Sequence, residues 1–222
     1  MKMAFTLATI LFSLYSHATF TIKNFKPYSR ETLPQEVTTV LLDTEYAQLM
    51  TQLNLQADQN HLQLRMTAYQ VQELENQKRV SLFLASETTH SEDNPTAYGE
   101  IQALVQAEGS HFKIVSIQFQ PSANSTGQAF PSEMTALWTH PQYSKLVSTL
   151  NQKAQAQHIQ LQISYYSIVD LQDHKIIYVT LTAQPQDQKT TPKRYGQFVG
   201  YVTYNIRNEP VLNSVYFRSD TD

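Results

Sequence analysis

The chain has 222 residues, a formal net charge of −3, no cysteine and five glycines. Without cysteine there is neither a disulfide framework nor a thiol nucleophile, and the acidic balance argues against nucleic acid or an anionic membrane surface as the main partner. So few glycines make a backbone cradle for phosphate unfavourable, while a chain of about 200 residues buries enough apolar surface to hold one large domain or two small ones by packing alone.

The first element reads as an export signal. Lys2 supplies a positive start, residues 4–15 (AFTLATILFSLY) are a 12-residue apolar run, and Ser16 and Ala18 occupy the −3 and −1 positions of a cleavage site. The run is shorter than the ~20 residues a membrane-spanning helix needs, and no later run approaches that length. The expected organisation is a signal peptide at 1–18, a first α+β unit at 19–119, a linker at 120–129 and a second α+β unit at 130–222. The mature chain is expected to start at Thr19, in the periplasm or outside the cell, with no membrane span.

A repeat supports the two units. Sliding the chain by 97 positions lays residues 33–105 on 130–202 without a gap, with 19 identities in 73 positions. Pro34/Pro131, Glu36/Glu133, Tyr46/Tyr143, Asn54/Asn151, His61/His158, Tyr69/Tyr166, Lys78/Lys175 and Gly99/Gly196 are among them. One extra residue in the last turn then aligns SIQF (116–119) with SVYF (214–217). Two copies at so long a period indicate a duplicated domain rather than a solenoid, whose units are shorter.

In chain order, Pro34 and Pro131 suit the first turn of a helix. Asp43, Thr44 and Thr139 are cap-type residues before a longer helix. Tyr46, Leu49, Met50, Leu53 and Ala57 form its apolar stripe, repeated by Tyr143, Leu146, Val147, Leu150 and Ala154. The period then changes to two. Leu62, Leu64, Met66 and Ala68 alternate with polar residues, as do Ile159, Leu161, Ile163 and Tyr165, predicting a half-buried strand. LENQK and LQDHK are turns. Val80, Leu82 and Leu84, with Ile177, Val179 and Leu181, make the returning strand. Polar loops follow, Tyr98-Gly99 and Tyr195-Gly196 open a third strand, and a fourth ends near Phe119 and Phe217. Each copy is therefore expected to be a helix packed on a four- to five-stranded antiparallel sheet. Upstream, IKNFKP (22–27) resembles SIQFQP (116–121) and is read as an added strand for the first sheet, as the end of the first copy is for the second.

One strand, a helix and four antiparallel strands wrapping it resemble the cystatin-like layout, which implies a tandem of such units and, as an alternative function, protease inhibition. The inhibitory Gln-x-Val-x-Gly is not matched: the corresponding stretches are YQVQELENQK from Tyr69 and YSIVDLQDHK from Tyr166.

No catalytic motif is present: there is no G-x-S-x-G, H-E-x-x-H or S-x-x-K. No catalytic residue, cofactor or metal is assigned. His90, Glu92 and Asp93 lie together in a loop that reads as solvated, with Asp187 and Lys189 at the matching places. His61 and His158 sit where the long helix ends; they read as helix-end residues satisfying its terminal carbonyls, the alternative being paired ligands or general bases. The tyrosines are unevenly shared, 8 of 13 falling in the second copy and 3 in the first. Positions that face away from the helix are polar in copy one (Gln63, Arg65, Thr67, Arg79, Ser81, Glu100, Gln102). In copy two they include Tyr166, Ile176, Tyr178, Tyr195, Val199 and Tyr201. Tyr166, Tyr178, Tyr195 and Tyr201 are therefore the expected binding residues, gathered on one sheet face that something covers. The partner is a protein, a small ligand or a second copy of the chain, the alternative being that this face packs on the first copy. The expected function is an exported, non-enzymatic binding or adaptor protein. Mass spectrometry of the exported protein should give an N-terminus at Thr19; a retained Met1 overturns the export reading.

Overall fold

Pro34 (φ −52°, ψ 141°) turns the chain into α1, Gln35–Leu41. The computed structural model describes residues 30–88, 95–109, 111–121, 127–186, 191–206 and 208–220. The expected signal peptide, IKNFKP and the loops holding His90 and Asp187 lie outside the described residues. Asp43 caps α2 (Thr44–Gln59) by accepting the Glu45 N–H at 2.7 Å. In the second copy the cap of α3 (Pro141–Ala156) is His140, whose Nδ1 accepts the Gln142 N–H at 3.2 Å, and not Thr139. The short helix shrinks there to one 3-10 turn, Ser132–Met134.

Both long helices end in the same way. His61 and His158 adopt φ of 55° and 52°, the left-handed region that glycine or asparagine normally fills. Their N–H groups close on Asp58 O (3.0 Å) and Gln155 O (3.1 Å), so the histidines are kept where the chain turns from helix into strand.

The first sheet has the order β4-β3-β2-β1-β5, formed by β1 (Leu62–Glu73), β2 (Lys78–Thr88), β3 (Thr96–Glu108), β4 (His111–Pro121) and β5 (Gln128–Ala129). The second has the order β6-β7-β8-β9, formed by β6 (Ile159–Asp170), β7 (Lys175–Pro185), β8 (Lys193–Tyr204) and β9 (Pro210–Ser219). All pairings are antiparallel. The architecture is α+β, helices with two antiparallel sheets. Each sheet slips register at three places, and the places match between copies: Met66/Ala68 with Ile163/Tyr165, Leu84/Ala85 with Leu181/Thr182, and Leu104/Val105 with Tyr201/Val202. The bulges belong to the repeat.

The connecting segments depart from the expected layout, because each serves the other copy. Residues 128–129 are not linker but β5, which pairs with β1 through Ala68↔Ala129 and Tyr69↔Gln128. The end of the first copy stays in its own sheet as the edge strand β4. Glu31, ahead of the first copy, bridges to Tyr166 in the second sheet, its N–H and C=O bonding Tyr166 at 3.0 and 2.9 Å. Gln128 and Tyr69 stand in the same relation, 97 residues displaced from Glu31 and Tyr166.

The helices repeat this exchange. Tyr46 donates its hydroxyl to Trp138 O at 2.8 Å, and Tyr143 donates to Leu41 O at 3.1 Å. The Asn54 amide reaches Thr139 O at 2.7 Å, and that of Asn151 reaches Leu42 O at 2.5 Å. Both tyrosines are fully buried. Helices α2 and α3 pack on each other, α2 also touching β1 and β4 and α3 touching β6 and β9. A single core results, to which both sheets contribute. A chain of rings runs through it: Tyr69–Phe130 at 5.0 Å, Phe130–Trp138 at 6.2 Å, Trp138–Tyr143 at 5.4 Å and Tyr143–Phe198 at 5.0 Å. Such pairs contribute about 0.5–1.5 kcal/mol each beyond their burial. Within each copy an ion pair ties the first turn to the second strand, Glu36–Lys78 at 2.5 Å and Glu133–Lys175 at 2.6 Å.

Burial holds the Tyr46 and Tyr143 hydroxyls well above the ordinary tyrosine range. A folded-state pKa above the unfolded one contributes stability in full below the unfolded value, about pH 10, and loses it as pH rises further. Chemical denaturation should therefore show stability falling steeply above about pH 10. Tyr46→Phe and Tyr143→Phe should each cost about 1–2 kcal/mol at neutral pH, the unpaired carbonyl being the main part, and should flatten the alkaline decline.

Candidate functional site

The bulges decide which tyrosines share a face. After the slip between Ile163 and Tyr165, Tyr165 sits opposite Thr180 and Tyr166 opposite Val179. Tyr166 therefore turns into the core, 5% exposed, and its hydroxyl donates to the Glu31 carboxylate. Burial, then Glu31, raises its pKa well above the ordinary tyrosine value. Tyr195 also leaves the expected face. It is the unpaired residue where Leu181 meets Gly196 and Thr182 meets Arg194, and it packs beside the core on Phe217, ring centroids 5.8 Å apart.

Of the four tyrosines named from the sequence, Tyr178 and Tyr201 thus remain together, joined by Tyr165 and Tyr216. Tyr165 was assigned to the core side by simple alternation, and only the bulge after Ile163 moves it outward. Three rows cross this outer face: Tyr165–Thr180–Gln197–Arg218, Ser167–Tyr178–Val199–Tyr216 and Val169–Ile176–Tyr201–Ser214. Tyr201 and Tyr216 stack at 6.1 Å, with His174 at 6.4 Å from Tyr201. The Tyr216 pKa is raised, first by its hydrogen bond with Tyr201. Thr180 and Val199 lie at the floor, each 1% exposed between the larger rings. Arg30 reaches over the first row, its guanidinium carbon 4.7 Å from the Tyr165 ring centroid. A cleft of about 260 Å³ opens between Arg30, Tyr165, Ser167, Tyr178, Gln197 and Arg218.

The matching face of the first sheet is different. Its rows read Ala68–Phe83–Glu100–Gln120 and Gln70–Ser81–Gln102–Gln118. Gly127 stands where the second copy has Arg30, so close that an added Cβ would meet Tyr69 O at 2.6 Å and the Phe83 ring at 2.9 Å.

A larger groove of about 790 Å³ lies between the copies, bounded by α1, the β3–β4 hairpin, the end of α3 and the start of β6. The two copies differ beside it. In the first, Arg65 donates from Nη1 to Pro210 O at 2.7 Å and draws the β8–β9 hairpin onto β1. Gln162 stands in the place of Arg65 on β6 and lines the open groove with Lys113. Its walls mix Asp43, Glu45 and Glu108 with His111 and Lys113.

Among the described residues no helix is long and apolar enough to cross a membrane, and no group of three or more His, Asp or Glu side chains is placed to hold a metal.

No protein-family model matches the chain, and no curated protein matches it. Among solved structures, the chain is similar to an "Ntf2 like protein involved in plasmid conjugation", at 13% identity over 80% of this chain and 89% of that one, with a TM-score of 0.19. A score that low assigns neither fold nor function.

Tyr-Gly, present in both copies, has a structural cause. A Cβ on Gly99 would lie 2.4 Å from the Phe119 ring, and one on Gly196 would lie 2.4 Å from Phe217 Cζ and 2.5 Å from Arg218 O. The cross-strand ring fills the space a side chain would take. Gly196→Ala should destabilise by about 1–3 kcal/mol, as overpacking does, measured by urea unfolding. Gly200→Ala, where the closest contact of an added Cβ is the end of the Leu212 side chain at 3.0 Å, should cost less; equal costs at the two positions would refute steric exclusion at Gly196.

Proposed function

We propose that the chain is an exported, non-enzymatic binding or adaptor protein that presents the outer face of its second sheet to a partner. The observation that carries this is the concentration of Tyr165, Tyr178, Tyr201 and Tyr216 on one outer face, in a protein whose first sheet has Ala68, Ser81, Leu104 and Gln118 at the equivalent places. The first sheet folds without such rings, so the repeat does not require them. Tyrosine suits a contact surface because its ring buries well while its hydroxyl keeps a polar partner. Export rests on the N-terminal signal pattern. The order of one long helix and four antiparallel strands supports a cystatin-like layout for each copy. The inhibitory function that would accompany it has no counterpart in the first hairpins: Gln70 and Val71 lie within β1, and the turn is closed by Leu74 N–H on Gln77 O at 2.9 Å.

The experiment is the double replacement Tyr178→Ser with Tyr201→Ser in the exported protein. Melting temperature should move by less than about 4 °C, equivalent to under roughly 1–2 kcal/mol for a chain of this size, and the protein should stay in the same oligomeric state. Capture of its partner from envelope and medium should be lost. A large fall in melting temperature with unchanged capture would instead make the face a structural contact.

A further inference from the structure

We propose that the cleft between Arg30 and Arg218 binds a small organic anion, with its carboxylate or phosphate group between the two guanidinium groups and its flat apolar body against Tyr165 and Tyr178. This rests on the outer face of the second sheet being a binding surface, and names the ligand class that face takes.

Charge is the first ground. Two arginines line the cleft and no carboxylate does. Among the described residues neither arginine has an acidic partner. The nearest acid in sequence, Glu31, is turned to the other side of the sheet, where it takes the Tyr166 hydroxyl. Asp220, near the end of β9, is occupied by Arg194. Each guanidinium offers a planar fork of donors that matches the paired oxygens of a carboxylate or phosphate.

Positioning is the second. Arg218 donates from Nη2 to Gln197 Oε1 at 2.6 Å, and Gln197 donates from Nε2 to Thr180 Oγ1 at 2.9 Å. Gln197 is 7% exposed and Thr180 1% exposed. A buried amide held at both ends thus orients Arg218 before any ligand arrives, which lowers the ordering cost of binding. Arg30 is held in turn by its contact with the face of Tyr165.

The first copy supplies the control. Its equivalents of Arg30, Tyr165, Tyr178, Gln197 and Arg218 are Gly127, Ala68, Ser81, Glu100 and Gln120. All five differ, and the amide that orients Arg218 is replaced by a carboxylate. An anion is favoured on one sheet and repelled from the other, on backbones with the same bulges. The volume of about 260 Å³ suits a ligand of roughly one ring and one anionic group.

Calorimetric titration of the exported protein with benzoate and with phenyl phosphate, at low salt, tests this, with benzyl alcohol as the neutral probe of the same shape. At least one anion should bind ten-fold or more tightly than the alcohol. Arg218→Gln and Arg30→Gln should each weaken the anion about ten-fold or more, as removal of a charge-assisted hydrogen bond does. Arg218→Lys, which keeps charge and loses the fork, should fall between. Circular dichroism confirms that each variant is folded. Benzoate against phenyl phosphate distinguishes a carboxylate site from a phosphate site. Equal binding of alcohol and anions, no binding of any probe, or unaltered binding by the folded Arg→Gln variants would overturn the assignment. Equal binding of phenyl phosphate and inorganic phosphate would overturn the contact with the tyrosine rings. Loss of partner capture in the Tyr178→Ser, Tyr201→Ser protein alongside unaltered probe binding by the arginine variants would leave the binding face standing and remove only the anion.

Discussion

Two buried tyrosine hydroxyls hold the copies in register. Tyr46 leaves its own helix to bond the carbonyl of Trp138, and Tyr143 does the same to Leu41, its exact counterpart 97 residues earlier. A buried carbonyl without a donor costs about 1–3 kcal/mol, so each copy can complete its helix entry only in the presence of the other. The asparagine amides about two turns further along impose the same condition on Leu42 and Thr139. With the helix pair locked, Glu31 is placed against Tyr166 and β5 against β1. The sheets then meet the helices in one core.

The asymmetry of the two outer faces is built on that symmetric frame. The helix pair needs the inward faces of both sheets to be apolar, and it is indifferent to the outward ones. Three bulges at matched positions rotate the same side chains outward in each copy. In the first copy those places hold Ala68, Ser81 and Glu100; in the second they hold Tyr165, Tyr178 and Gln197. Arg65 bonds Pro210 O across the copies, while its counterpart Gln162 lines the inter-copy groove.

Much of this was legible in the residues. The 97-residue period, the stripe from Tyr46 to Ala57 and its repeat, and the period-two strands identify a duplicated helix-and-antiparallel-sheet chain. The single-residue offset before SVYF correctly aligned the last strands. The partner of each connecting segment was not legible, because a segment such as Gln128–Ala129 carries no mark of which sheet edge it will meet. The faces of Tyr165, Tyr166 and Tyr195 were misread for one physical reason. Strict alternation assumes an unbroken pleat, and a bulge inserts one residue and inverts everything after it. The signal available was Tyr98-Gly99 and Tyr195-Gly196, where a glycine in both copies marked one such break. Arg30 and Arg218 were missed because they lie far apart in sequence and line one cleft only across the width of a sheet.

The exchanged segments also bear on how such a chain arises. A single copy carrying the same tyrosines and the same leading strand would meet its needs in a second molecule, giving a two-fold symmetric dimer. Joining the copies removes the dependence on concentration. It also removes a restriction: in a homodimer every surface substitution appears twice, so a charge suited to a ligand on one side is imposed on the other. Once one chain supplies both halves, one sheet can keep Glu100 while the other takes Gln197 and Arg218. Covalent fusion is then the event that permits a two-fold scaffold to carry two different outer faces.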